Sequence, residues 1–189
     1  MDGRRMLRRL VLAVALGGAG CGTAAAPTPT PLPAAQNGAQ FSAAWCASMQ
    51  AMFRAIGNPD TASDSELSAA LDQAITNADY SAVERFAAMI QAELATGRRH
   101  AESAAGWGPG ATMAGHLDRL LVAFGTMIEE KRATARDGLS AVDQRAQATF
   151  EAAGGVDSWY GMLEAARSFP PDVMTLLGAC RFEGEPATS

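Results

Sequence analysis

From Phe41 onward apolar residues return every three or four positions, and no stretch alternates β-branched residues for the length of a strand. That rhythm restricts the chain to helices. Phe41, Trp45, Met49, Met52 and Ile56 make a first stripe, which Gly57-Asn58-Pro59 stops. Ser63-Asp64-Ser65-Glu66 reads as a capping box ahead of Leu67, Leu71 and Ile75. Asp79 is placed to cap a longer helix with Val83, Phe86, Ile90 and Leu94 inward, and Gly106-Trp107-Gly108-Pro109-Gly110 breaks it. The most regular stripe follows, through Met113, Leu117, Leu120, Leu121, Phe124 and Ile128. Val142, Ala146 and Phe150 mark a weaker helix over 141–153, and Trp159 and Leu163 a short one before Pro170-Pro171. Val173, Leu176, Leu177 and Cys180 end the series against the first helix.

Amphipathic helices of this length do not persist singly in water, so the stripes must bury one another. The expected fold class is all-α: an antiparallel helical bundle of four main helices plus shorter ones. The chain is 48% hydrophobic but only 6% aromatic, so much of its apolar content is Ala, which favours helices packed closely through small side chains. No repeat of solenoid length is present.

The first twenty residues follow a different logic. MDGRRMLRRL is a positively charged opening, and the apolar run Leu10–Leu16 is too short to span a bilayer, which takes about 20 residues. Gly18-Ala19-Gly20-Cys21 then resembles the lipobox of bacterial envelope lipoproteins, of the GC-rich, actinobacterial type. Gly18 departs from the Leu usual at that position. The resemblance covers about the first tenth of the chain and implies a signal peptide over 1–20 and lipidation of Cys21. It also implies an extracytoplasmic protein anchored to the outer face of the cell membrane. Cleavage after Ala26 is the alternative, and Pro27 makes it a poor one. Ala26-Pro-Thr-Pro-Thr-Pro-Leu-Pro33 gives a semi-rigid tether within 21–40, at about 3.1 Å per residue. The helical domain is expected over 41–183 and a disordered tail over 184–189.

With Cys21 set aside, Cys46 and Cys180 remain, an even pair near the two ends of the helical region. In an oxidising compartment they are expected to form a disulfide that closes the bundle. Neither has a CxxC partner or a nearby His, which weakens a metal reading.

Past residue 20 the chain carries 11 basic and 19 acidic side chains, a net of −8, which argues against nucleic-acid binding. Catalytic motifs are missing: no G-x-S-x-G, no S-x-x-K, no Walker sequence and no G-x-G-x-x-G opening a helix. No Glu-x-x-His pairs suggest a di-iron site, and no cofactor is called for. Glu129-Glu130-Lys131-Arg132 reads as a solvated, ion-paired face. Met113 and His116, three apart on one helical face, are the weak candidate metal ligands, with copper(I) as the ion. Trp107, Trp159 and Tyr160 are the candidate binding residues, and Trp107, between glycines in a loop, is expected to be exposed. These readings converge on a non-enzymatic cell-envelope lipoprotein that contacts another envelope protein. The alternative is a small-ligand or metal-ion carrier with an interhelical pocket.

Overall fold

The first three helices each begin where a side chain accepts a hydrogen bond from a free backbone N–H of the first turn. The computed structural model describes residues 30–58 and 63–180. Asn37 accepts a hydrogen bond from the Gln40 N–H and opens α1 (Gly38–Ile56). The cap of α2 (Glu66–Thr76) is Ser65, which accepts from the Ser68 N–H, so the capping sequence acts two residues later than Ser63. Asp79 caps α3 (Tyr80–Ala104) through the Ala82 N–H, as its position predicts. A short turn over Gly108–Gly110 leads into α4 (Ala111–Thr134), followed by α5 (Leu139–Ala152), α6 (Gly155–Ala166) and α7 (Pro171–Gly178). A two-residue antiparallel pairing, β1 (Gly57–Asn58) with β2 (Ser63–Asp64), joins α1 to α2.

Pairs of touching residues fix the helix directions. Across α3 and α4 the partners are Arg98 with Asp118, Gln91 with the Gly125 carbonyl, and Glu84 with Arg132. As one number rises the other falls, so the helices are antiparallel along their whole length. Ser48 with the Gly97 carbonyl and Arg54 with Glu93 set α1 antiparallel to α3. Lys131 with Asp143 and Phe124 with Phe150 do the same for α4 and α5. The His116 ring lies against Gly161, which places α6 further along the same line. Thus α5 and α6 form one long fourth helix, interrupted at Ala153–Gly154. The bundle is all-α and antiparallel, with α1, α3, α4 and the composite α5–α6 as its main members.

The core is made by Phe41, Met52, Leu71, Ile90, Leu94, Leu117, Leu120, Leu121 and Ile128, all essentially without solvent contact. Small residues let the backbones close in: Gly97 faces the Ser48 carbonyl of α1, and the buried Ser48 hydroxyl donates to the Gly97 carbonyl at 2.8 Å. Two stripe positions are corrected. Leu163 and Leu176 are exposed, because Met162 and Leu177 beside them take the inward places. None of the described helices is long and apolar enough to cross a membrane.

Cys46 and Cys180 are disulfide-bonded, with their Cα atoms 5.7 Å apart, and so tie the end of α7 to α1. The folded part begins before position 41. Ala35 is buried, its N–H donates to the Ser103 carbonyl at 2.9 Å, and the Ser103 hydroxyl donates to the Pro33 carbonyl. The last residues of the tether are therefore a strap laid against the α3–α4 turn. Cys21 and the tail over 184–189 lie outside the described residues.

Candidate functional site

Gly154 has φ +77°, a left-handed conformation that residues with a side chain rarely adopt, and it turns the chain from α5 into α6. In α6, Ser158 and Met162 lie one turn apart and both are buried. The residues rotated away from them are then forced outward. Val156, Tyr160 and Leu163, spaced four and three apart, form one strip at 39%, 65% and 47% exposure. Trp159 is half-buried at the border of this strip, packed against the core.

A second region lies where α2, α4 and α5 meet the end of α1. A cavity of about 510 Å³ there is lined by apolar Ile56, Phe124, Met127 and Ala146 and by polar Ser68, Asp72, Lys131 and Asp143. Lys131, the single lysine of the chain, is 8% exposed. Its Nζ donates to Asp72 Oδ1 at 2.7 Å and lies 2.9 Å from Asp143 Oδ1. One ammonium thus clamps three helices. Burial opposes its charge, but the hydrogen bonds to Asp72 and Asp143 outweigh that and hold its pKa above the ordinary 10.5. For Asp72 the balance falls the other way: burial raises the carboxyl above 3.8 despite Lys131. Asp64 and Asp143 add their negative charges to the raised pKa.

At Lys131 this corrects the reading of Glu129–Arg132 as a solvated, ion-paired face. Arg132 does stay outside, paired with Glu129 and Glu84. Lys131 turns inward. The signal was present in the sequence, since Lys131 falls three residues after Ile128 and so continues the inward stripe of α4.

The other candidates disperse. Trp107 is half-buried instead of exposed: its ring lies 5.2 Å from Phe41 and 6.1 Å from Phe169. The cause is Gly110, where a Cβ would sit 2.3 Å from the Phe41 ring, so the loop closes down over that ring. Met113 is buried in the core. His116 is half-buried, and its Nδ1 lies 2.9 Å from Arg119 Nη2, a group that can only donate. Burial and the Arg119 charge both lower the His116 pKa below 6.5, and the same positive charge disfavours a metal cation there. Among the described residues no three His, Cys, Asp or Glu side chains gather as metal ligands. Trp159 and Tyr160 remain together on α6.

Compared with known proteins, the chain matches no family model, no curated protein and no solved structure.

Proposed function

We propose that this chain is an exported bacterial lipoprotein, lipidated on Cys21, whose helical domain binds another envelope protein without catalysing a reaction. The observation that carries the binding half is the apolar strip of Val156, Tyr160 and Leu163 on α6. Isolated exposed apolar residues are ordinary, whereas three in register on one helix make a continuous apolar strip, which supports the reading. Tyr160 gives it the kind of large, amphipathic side chain that dominates interfaces. The lipobox-like Gly18-Ala19-Gly20-Cys21 supports the anchoring half.

One experiment addresses both halves. A photo-crosslinking residue at Tyr160 in living cells is expected to give one discrete envelope-protein adduct, while the same residue at exposed Thr76 gives none. Cys21→Ser is expected to move the protein from the membrane fraction to the medium. Indiscriminate adducts at both positions would sink the interaction surface, and membrane retention of the Cys21→Ser protein would sink the lipid anchor.

A second reading, a small-ligand carrier, is favoured by the cavity beside Lys131. Its volume falls within the range of small-molecule sites, about 300–1,000 Å³. Asp64, Asp72 and Asp143 outnumber Lys131 in its lining, which suits a ligand with an apolar body and a cationic group. Native mass spectrometry of protein gently extracted from its own membrane is expected to reveal a retained mass under this reading. A mass equal to the processed, lipidated chain counts against it.

A further inference from the structure

We infer that α7 is a redox-operated lid, which the Cys46–Cys180 bond holds shut over two stranded polar groups of α1 and which a dithiol releases. Such a lid needs no anchor, partner or ligand to work. Little else holds this helix. Among the described residues, no hydrogen bond or ion pair joins 171–180 to another element. The N–H groups of Met174, Ala179 and Cys180 bond back within 170–177, and the Thr175 hydroxyl donates to the Pro171 carbonyl. No side chain caps the start of α7. Val173 and Leu177 are its buried residues, while Met174 and Leu176 are exposed.

Gly38, Ser42 and Cys46 follow one another at intervals of four along one side of α1. α7 touches both ends of that row: Val173 lies 2.7 Å from where a Cβ on Gly38 would stand, and Cys180 is bonded to Cys46. Ser42 sits between the two attachments, 3% exposed, and its buried Oγ has no hydrogen-bond partner. Three residues on, the indole N–H of Trp45 is stranded in the same way. Depriving a hydroxyl and an indole N–H of water costs about as much as burying two aliphatic side chains gains. Packing alone therefore leaves the lid near balance, and the covalent bond tips it shut.

Both cysteines are partly exposed, so a thiol can reach the latch. A thiolate of the dithiol attacks one bridge sulfur and forms a mixed disulfide, and the other cysteine leaves as a thiolate that takes up a proton. The second thiol of the dithiol then closes on the mixed disulfide and frees the remaining cysteine. The protein gains two electrons and two protons as two thiols, and the dithiol departs as a disulfide. Phe169 stays packed against Phe41 and Trp107, so the movable part begins at Pro170–Pro171.

Hydrogen–deuterium exchange of the full chain, followed by mass spectrometry well below its melting temperature, tests the lid with dithiothreitol as the dithiol. Reduction is expected to speed exchange over 171–180 by about tenfold or more while α3 and α4 keep their rates. Reoxidation with glutathione disulfide is expected to restore slow exchange. Ser42→Ala removes one stranded hydroxyl and is expected to slow exchange over 171–180 severalfold in the reduced protein. Unchanged exchange over 171–180 on reduction overturns the inference, because packing then holds α7 by itself. Equal acceleration of α3, α4 and α7 overturns it as well, since the bond would then brace the whole bundle. So does a reduced Ser42→Ala protein in which α7 exchanges as fast as in the reduced native chain, or faster.

Discussion

Phe41→Ala is expected to destabilise the domain by about 3–5 kcal/mol, the cost of emptying a large buried aromatic site. Phe41 has no solvent contact and stands at the centre of a cluster, 5.2 Å from the Trp107 ring and 5.3 Å from Phe169. Trp107 comes from the α3–α4 loop and Phe169 from the segment between α6 and α7, so one side chain holds three distant stretches together. Because Gly110 offers no side chain to fill the gap, the cavity left by the substitution stays largely open. A domain of this size shifts by about 2–4 °C per kcal/mol, so melting should fall by about 10 °C or more. A denaturant midpoint equivalent to a loss under about 1 kcal/mol would show that the cluster closes over the vacancy.

Removing the Cys46–Cys180 bond is the second large effect. The bond closes a loop of 134 positions, and such cross-links typically contribute about 2–4 kcal/mol, chiefly by restricting the unfolded chain. Reductant is expected to lower the melting temperature of the native protein while leaving a Cys46→Ser/Cys180→Ser variant unchanged. An equal melting temperature with and without reductant would mean that α7 holds to α1 without the bond. The native packing of Val173 and Leu177 is then enough by itself.

Much of this architecture is legible in the sequence because the informative signals are local. Asp79 caps the helix that its position predicts, and the glycines around Trp107 break the chain where the spacing says they must. The stripe on α4 is regular because that helix is flanked by α3 on one side and α5–α6 on the other. What stayed hidden depends on contacts between distant segments. Trp107 reads as exposed until Phe41 and Phe169, far away in sequence, are brought beneath it. The strap reads as free tether until Ser103 supplies a donor and an acceptor for its backbone. Lys131 reads as exposed for a different reason: its charge outweighs its register, although position 131 continues the inward face. On α6 the spacing identifies the helix but not its outward side, since the inward face carries the polar Ser158 while Leu163 is exposed.

The disulfide also decides how the molecule carries mechanical load. A pull between the strap and the carboxyl end enters at α1 and leaves through Cys180, which is bonded to Cys46. Tension therefore crosses the first turns of α1, from Gly38 to Cys46, and then a covalent bond. The rest of α1 and everything from α2 to α7 hang in a slack loop outside that path. Such a pull would load a short stretch of helix and spare both the α6 strip and the Lys131 clamp, until reduction of one bond reroutes the force through the whole bundle.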